Sequence, residues 1–290
     1  MSAQDTNFYK KTAGIFESAS PQLVMGILNI TPDSFYDGGR YVQAEEYLLK
    51  VKQFIDEGAD IIDIGAQSTK PGAKEITEKE ETGRLIPAII AIRKLFPKVI
   101  ISVDTFRASV AQKAIEAGAD VINDISGGTM DEQMFTTIGK LKVPYILMHI
   151  QGTPQTMQQN PYYKNVTAEV MSFFKAKITE LNNLGATNII IDPGFGFGKT
   201  LEHNYQLLND LEMFRTLNIP ILVGVSRKSM IYKPLNISAD EALNGTTVIN
   251  TIALMKGVKI LRVHDVKEAK QAVMLVDKLK NNVRQVQGSN

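Results

Sequence analysis

Glu57-Gly58-Ala59-Asp60-Ile61-Ile62-Asp63 reads as the end of one element and the start of another. Glycine can take the left-handed backbone that terminates a helix, and the apolar run that follows at once suits a buried strand. The same joint recurs as Ala117-Gly118-Ala119-Asp120-Val121-Ile122-Asn123-Asp124 and as Leu184-Gly185-Ala186-Thr187-Asn188-Ile189-Ile190-Ile191-Asp192. Three copies of one αβ joint predict a chain that repeats strand and helix.

Eight apolar runs surround these joints: Val24 to Ile30, Ile61 to Gly65, Val99 to Asp104, Val121 to Ile125, Tyr145 to His149, Ile189 to Asp192, Ile221 to Ser226 and Ile260 to His264. Stretches of helical spacing separate most of them, which argues for a parallel sheet buried on both faces. The fold class expected is α/β, a single (βα)8 barrel of the TIM type over residues 1–290 with its core at about 23–278. Each run ends on polar residues: Asn29, Asp63, Asp104, Asn123 with Asp124, His149, Asp192, Ser226 to Lys228, and Arg262 with His264. In such a barrel the C-terminal strand ends build the active site, so these residues read as one rim.

The chain has 290 residues, 44% hydrophobic and 22% charged, with a formal charge of +1 and no cysteine. That balance gives no electrostatic case for a nucleic-acid partner, and thiolate or disulfide chemistry is excluded. A bound metal would need oxygen or imidazole ligands, and a hard cation such as Mg²⁺ fits best. No run is long enough to span a membrane, and Met1 to Phe16 lacks the apolar core of a secretory signal, so the expected location is cytoplasmic. After Asp277 the sequence fades into Gln, Gly and Ser, which predicts a fraying last helix.

Tyr47, Leu48, Val51, Phe54 and Ile55 fall on one stripe of a helix over 44–57, and Phe173, Phe174, Ile178 and Leu181 on another; both read as core packing. Chemistry is expected in the loops after the strands, where Gly and Pro cluster. There the motifs Asn29-Ile-Thr-Pro-Asp-Ser-Phe35, Asp63-Ile-Gly-Ala-Gln-Ser-Thr69, Ser102-Val-Asp-Thr105, Ile122-Asn-Asp-Ile-Ser-Gly127, Asp192-Pro-Gly-Phe-Gly-Phe-Gly-Lys199, Ser226-Arg-Lys-Ser229 and Arg262-Val-His264 follow one another. In this order they resemble the dihydropteroate synthase family, over roughly Val24 to Asp265.

The resemblance implies a transferase of folate biosynthesis that joins hydroxymethyl-dihydropterin pyrophosphate to para-aminobenzoate, giving 7,8-dihydropteroate and pyrophosphate. It implies pterin binding by Asp104, Asn123, Asp192, Lys228 and Arg262, with Asp104 charged beside the reacting methylene. Pyrophosphate falls to Thr69, Lys70, Arg262 and His264. Arg262 and His264, two apart on a strand, point the same way, and arginine offers a planar fork to phosphate oxygens. Phe35, Pro71, Phe197 and Ser229 fall to the aminobenzoate, and Asp37 to its amine proton. Asn29 is the implied Mg²⁺ ligand, within a shell supplied mainly by pyrophosphate and water. A homodimer and competition by sulfonamides are implied as well.

The chain departs from the family at Gly65-Ala-Gln-Ser-Thr-Lys-Pro-Gly72, where the usual motif is Gly-Gly-Glu-Ser-Thr-Arg-Pro-Gly. Lys70 keeps the charge without the bidentate fork. His149 reads as structural near the pocket floor, and His203 as solvated on a helix. A corrinoid-linked pterin methyltransferase would share the barrel but would not need Thr31 to Phe35 or Ser226 to Ser229. The retained Asn29, Asp104 and Arg262-His264 argue against a pterin binder without turnover. The plain alternative for each strand-end aspartate is capping of the next helix.

Overall fold

The computed structural model describes residues 14–16, 20–30, 40–67 and 76–287, with side chains 40–44 and 281–287 outside the description. Strands β1 (Leu23–Asn29), β2 (Ile61–Gly65), β3 (Ile100–Asp104), β4 (Val121–Asp124), β5 (Tyr145–Met148), β6 (Ile189–Asp192), β7 (Leu222–Val223) and β8 (Ile260–Val263) alternate with helices. The helices are α1 (Arg40–Asp56), α2 (Glu78–Leu95), α3 (Ala108–Glu116), α4 (Met134–Leu141), α5 (Val166–Asn183), α6 (Leu201–Asn209), α7 (Ser229–Leu235), α8 (Leu243–Met255) and α9 (Val266–Gln287). A 3₁₀ turn, Leu211–Leu217, follows α6.

All strand pairs are parallel, in the order β6-β5-β4-β3-β2-β1-β8-β7. A parallel bridge from Ile191 to Ile221, with the Ile191 amide 3.0 Å from the Pro220 carbonyl, closes β6 on β7. The (βα)8 barrel is therefore the fold, as the joints predict.

Gly58, Gly118 and Gly185, the glycines of those joints, all have positive φ (95°, 110° and 85°). The aspartates beside two of them have a purpose that spacing does not reveal. Asp60 Oδ2 accepts from the Val24 amide at 2.8 Å and Asp120 Oδ2 from the Ile101 amide at 2.8 Å, so each caps the start of a neighbouring strand. Burial follows the strand period of two. Val24, Ile62, Ile64, Ile101, Val103, Ile122 and Ile191 face the helices in one core cluster. Met25, Ile61, Ile100, Val121, Ile146, Ile190, Leu222 and Ile260 form a separate cluster inside the barrel. Phe16 joins that second cluster, 5% exposed, with Ile15 packed beside it, so this short segment stoppers the floor. The stripe on α1 and that on α5 pack in the core as expected.

One expectation is corrected. The apolar run Ile221 to Ser226 yields a strand of only two residues, because the chain turns where the Lys228 amide bonds the Val225 carbonyl at 3.1 Å and Arg227 takes φ 56°. The last helix extends past Asp277 to Gln287.

Candidate active site

Above the apolar floor the inward positions of the same strands turn polar. Asp63, fully buried on β2, accepts three hydrogen bonds: from Arg262 Nε at 2.6 Å, Asn123 Nδ2 at 3.1 Å and Ser102 Oγ at 2.6 Å. Arg262 also donates Nη2 to Asp104 Oδ2 at 2.9 Å. One guanidinium thus spans two carboxylates from neighbouring strands. Burial pushes the Asp104 carboxyl up to about 7, with Arg262 opposing and the Asp63 charge adding to the rise. Asp104 therefore titrates near neutral pH.

Across the mouth, Asp192 ends β6 and accepts the Gly194 amide on Oδ1 at 2.8 Å. Burial raises its pKa, while Lys228 and that amide resist the rise. Lys228 donates Nζ to the Phe195 carbonyl at 2.5 Å and lies 4.5 Å from the centre of the Phe197 ring. Burial lowers its pKa to about 8, against the pull of Asp192. These two groups are oppositely charged, and each shifts the other towards its ionised form. Phe197 itself packs with Ile125, Met148, Ile150 and Met157.

At the β8 rim, both the amide and Nδ1 of His264 meet Ser226 Oγ, at 3.2 and 3.1 Å. The ring opens to solvent, yet crowding by the mouth, then Arg262, holds its pKa down to about 4, so it is neutral at pH 7. Asn29 is exposed at the end of β1. Asn29 Oδ1 and Asp104 Oδ2 both border Gly65, at 3.6 and 3.8 Å from where its Cβ would stand.

The structure therefore brings together Asn29, Asp104, Asn123, Asp192, Lys228, Arg262 and His264, and sets Ser229 at the first turn of α7 beside Lys228. Phe35, Asp37, Thr69, Lys70 and Pro71 lie outside the described residues, as does the departure at Lys70. Asp124 does not cap the next helix but holds the turn after β4, accepting from the amides of Ser126 and Gly128 and the Tyr145 hydroxyl. Nor does helix capping describe Asp104, whose carboxylate is taken by Arg262.

Sequence reasoning gave two groups no role, although it placed Asp63 on the rim and Lys199 at the end of a motif. Asp63 sits mid-strand and only its partners on β3, β4 and β8 reveal it, although its two-residue offset from Gly65 was a usable signal. Lys199 closes a motif quoted above, and it is buried at 3% exposure against His149. His149 is structural as expected. His203 is corrected: half-buried, it caps α6, with its amide on Thr200 Oγ1 and Nδ1 accepting the Thr200 amide, both at 3.2 Å.

A parallel (βα)8 barrel carrying two carboxylates, an amide and a lysine around its mouth is the framework of a pterin-binding enzyme, and the chain belongs to that family: the family described as pterin binding enzyme matches residues 25–264. Its relatives narrow this further. The dihydropteroate synthase of Haemophilus influenzae is 45% identical over 245 residues, covering 84% of this chain and 88% of that protein. Among solved structures, a Yersinia pestis dihydropteroate synthase in complex with a sulfonamide drug superposes with TM-score 0.84 at 41% identity, covering 90% of this chain and 95% of that one. A Clostridium difficile dihydropteroate synthase solved in the presence of pteroic acid also gives 0.84, at 37% identity, with 89% and 97% covered.

Proposed function

We propose that this chain is a dihydropteroate synthase, a transferase that condenses hydroxymethyl-dihydropterin pyrophosphate with para-aminobenzoate to give 7,8-dihydropteroate and pyrophosphate. The observation that carries the reading is the presence of Asp192 and Lys228, each favouring the other's ionised form, opposite the Asp63–Arg262–Asp104 group, in a chain of this family.

Asp192 and Asn123 take the amino and ring nitrogens of the pterin, a two-point contact that sets orientation as well as affinity, while Lys228 turns from the Phe195 carbonyl to the ring carbonyl. The ionised Asp104 stands beside the methylene as the carbon–oxygen bond breaks and stabilises the cation in a site drier than water. The bonding pair leaves with pyrophosphate, whose oxygens meet the N–H groups of Arg262 that Asp63 and Asp104 leave over and the N–H of a neutral His264, joined by Thr69 and Lys70. The aminobenzoate nitrogen then attacks the methylene and passes a proton to Asp37, with its ring against Phe35, Pro71 and Phe197 and its carboxylate at Ser229. Sulfonamides compete at that second position.

Mg²⁺ fits the residues present. Asn29 is exposed at the end of β1 and offers an amide oxygen near Gly65, and no cluster of three His, Cys, Asp or Glu exists among the described residues to hold a metal without substrate oxygens. When bound, the ion neutralises charge on the leaving group. A homodimer is supported by the family resemblance and by exposed Val248, Ile252 and Met255, which fall on one stripe of α8. No helix among the described residues is long and apolar enough to cross a membrane, which is in keeping with a cytoplasmic location.

The test follows pyrophosphate and pteroate together, with dihydropterin pyrophosphate and Mg²⁺, with and without para-aminobenzoate. Equal release of both products is expected. Tight pterin binding without pteroate contradicts the reading.

A further inference from the structure

A buried ammonium that the reaction does not use lies under the wall that carries Asp192. Lys199 is 3% exposed, and its Nζ reaches the carbonyls of Gly194 and Phe197 at 3.0 Å each and that of His149 at 3.4 Å. His149 Nδ1 is 3.0 Å away. An ammonium has three protons, so these four acceptors share them and His149 must present its Nδ1 lone pair. Burial, then Lys199, lowers the His149 pKa to about 2, so the ring is neutral, and the Lys199 contact selects the tautomer with Nδ1 bare. Among the described residues no carboxylate forms an ion pair with Lys199.

This cluster exists because two loops press together. A Cβ on Gly194 would come 1.9 Å from the His149 carbonyl oxygen, and one on Gly198 2.4 Å from that of Gln151. Both glycines have positive φ, 70° and 63°. The segment after β6 therefore lies flat on the chain leaving β5, and its carbonyls converge where Lys199 meets them. The same few residues present their other groups to the site: the Gly194 amide holds Asp192, and the Phe195 carbonyl holds Lys228.

We propose that Lys199, with His149 as its acceptor, is a positioning residue that fixes the 194–198 loop in the shape that orients Asp192 and Lys228 towards the pterin. An apolar side chain would fill the space but take the donor from the Phe197 and His149 carbonyls, leaving the Gly194 carbonyl only the Phe197 amide at 3.0 Å, and the first two would turn to find another partner. The loop would then let go of the two groups that read the ring. The inference rests on the assignment of Asp192 and Lys228 to the pterin, and says nothing of the Arg262 side of the mouth.

The experiment compares wild type with Lys199→Met and Lys199→Gln. It measures calorimetric affinity for 6-hydroxymethylpterin, KM for dihydropterin pyrophosphate, kcat for pteroate and thermal unfolding. In Lys199→Met the pterin Kd and KM should both rise tenfold or more while kcat changes by less than about threefold, because Asp104 and Arg262 are undisturbed. Lys199→Gln keeps two N–H donors and should recover part of the affinity, giving a rise of about three- to fivefold; it carries the test if the Met variant does not fold. A folded variant with pterin affinity within twofold of wild type, or a fall in kcat alone, overturns the proposal. A wild type that binds the pterin but makes no pteroate would instead defeat the synthase reading, and the pterin titration would still decide the role of Lys199.

Discussion

The two walls of the barrel mouth meet their charges in opposite ways. On the β2–β3–β8 wall every charge has a charged partner: Asp63 and Asp104 share Arg262, and Ser102 and Asn123 complete Asp63. On the β6–β7 wall the cations rest on backbone carbonyls, Lys228 on Phe195 and Lys199 on Gly194 and Phe197, and Asp192 holds one backbone amide. A saturated ion network is rigid before substrate arrives, whereas a lysine on a neutral carbonyl can exchange that bond for a ligand at little cost. The first wall is suited to holding position around a leaving anion and the second to reading a heterocycle.

Removing the hub of the first wall should have the largest effect. Asp63→Ala leaves Arg262 half paired and Asn123 and Ser102 without their acceptor, and breaking a buried pair in this way costs about 3–5 kcal/mol. Urea unfolding should show that loss, and a midpoint unchanged from wild type would mean the wall is not held by its charges. Lys228→Ala should weaken pterin binding by about tenfold, the low end for a hydrogen bond to a charged group, because wild type gives up the Phe195 contact to bind. Stability should change far less than in Asp63→Ala, and calorimetry with 6-hydroxymethylpterin checks it. Smaller again is Ser226→Ala, which removes only the hydroxyl that orients His264; kcat/KM should fall by roughly 2–10-fold, the range for a single neutral hydrogen bond.

The walls should also separate by pH. Asp104 must be ionised to stabilise the cation, and with its pKa near 7 the activity should rise with pH through that region. Burial brings Lys228 to about 8 and Lys199 to about 7, so proton loss from the second wall should lower activity on the alkaline side. The profile of kcat/KM expected is a narrow bell centred near pH 7. Asp104→Asn should abolish the acid limb and Lys228→Ala should change the alkaline one. The sign for stability runs the other way from an ordinary ion-paired carboxylate. Because the folded-state pKa of Asp104 is raised, its contribution is full below the unfolded value near 4 and is lost as pH rises through about 7. The stability of wild type relative to Asp104→Asn should therefore decline between pH 4 and 7.

Most of the barrel was legible because one period governs it. Three glycine joints and eight apolar runs place the strands, and inward alternation brings Asn29, Asp104, Asn123, Asp192 and Arg262 to one end. What escaped depends on distant partners. Asp63 meets groups 39, 60 and 199 residues away, so its part as their shared acceptor is written in no local pattern. Lys199 ends a motif and looks like a surface charge until the chain after β5 is laid beside it. The same holds for Phe16, whose place in the barrel floor follows from a cavity that only the closed sheet creates.

The comparison of the walls is tested most directly by titrating 6-hydroxymethylpterin into wild type, Asp192→Asn and Ser226→Ala under one set of conditions. The account expects Asp192→Asn to bind roughly 10–100-fold more weakly, equivalent to about 1.5–3 kcal/mol, and Ser226→Ala to match wild type. Unchanged affinity in Asp192→Asn, or an equal loss in both variants, would contradict it.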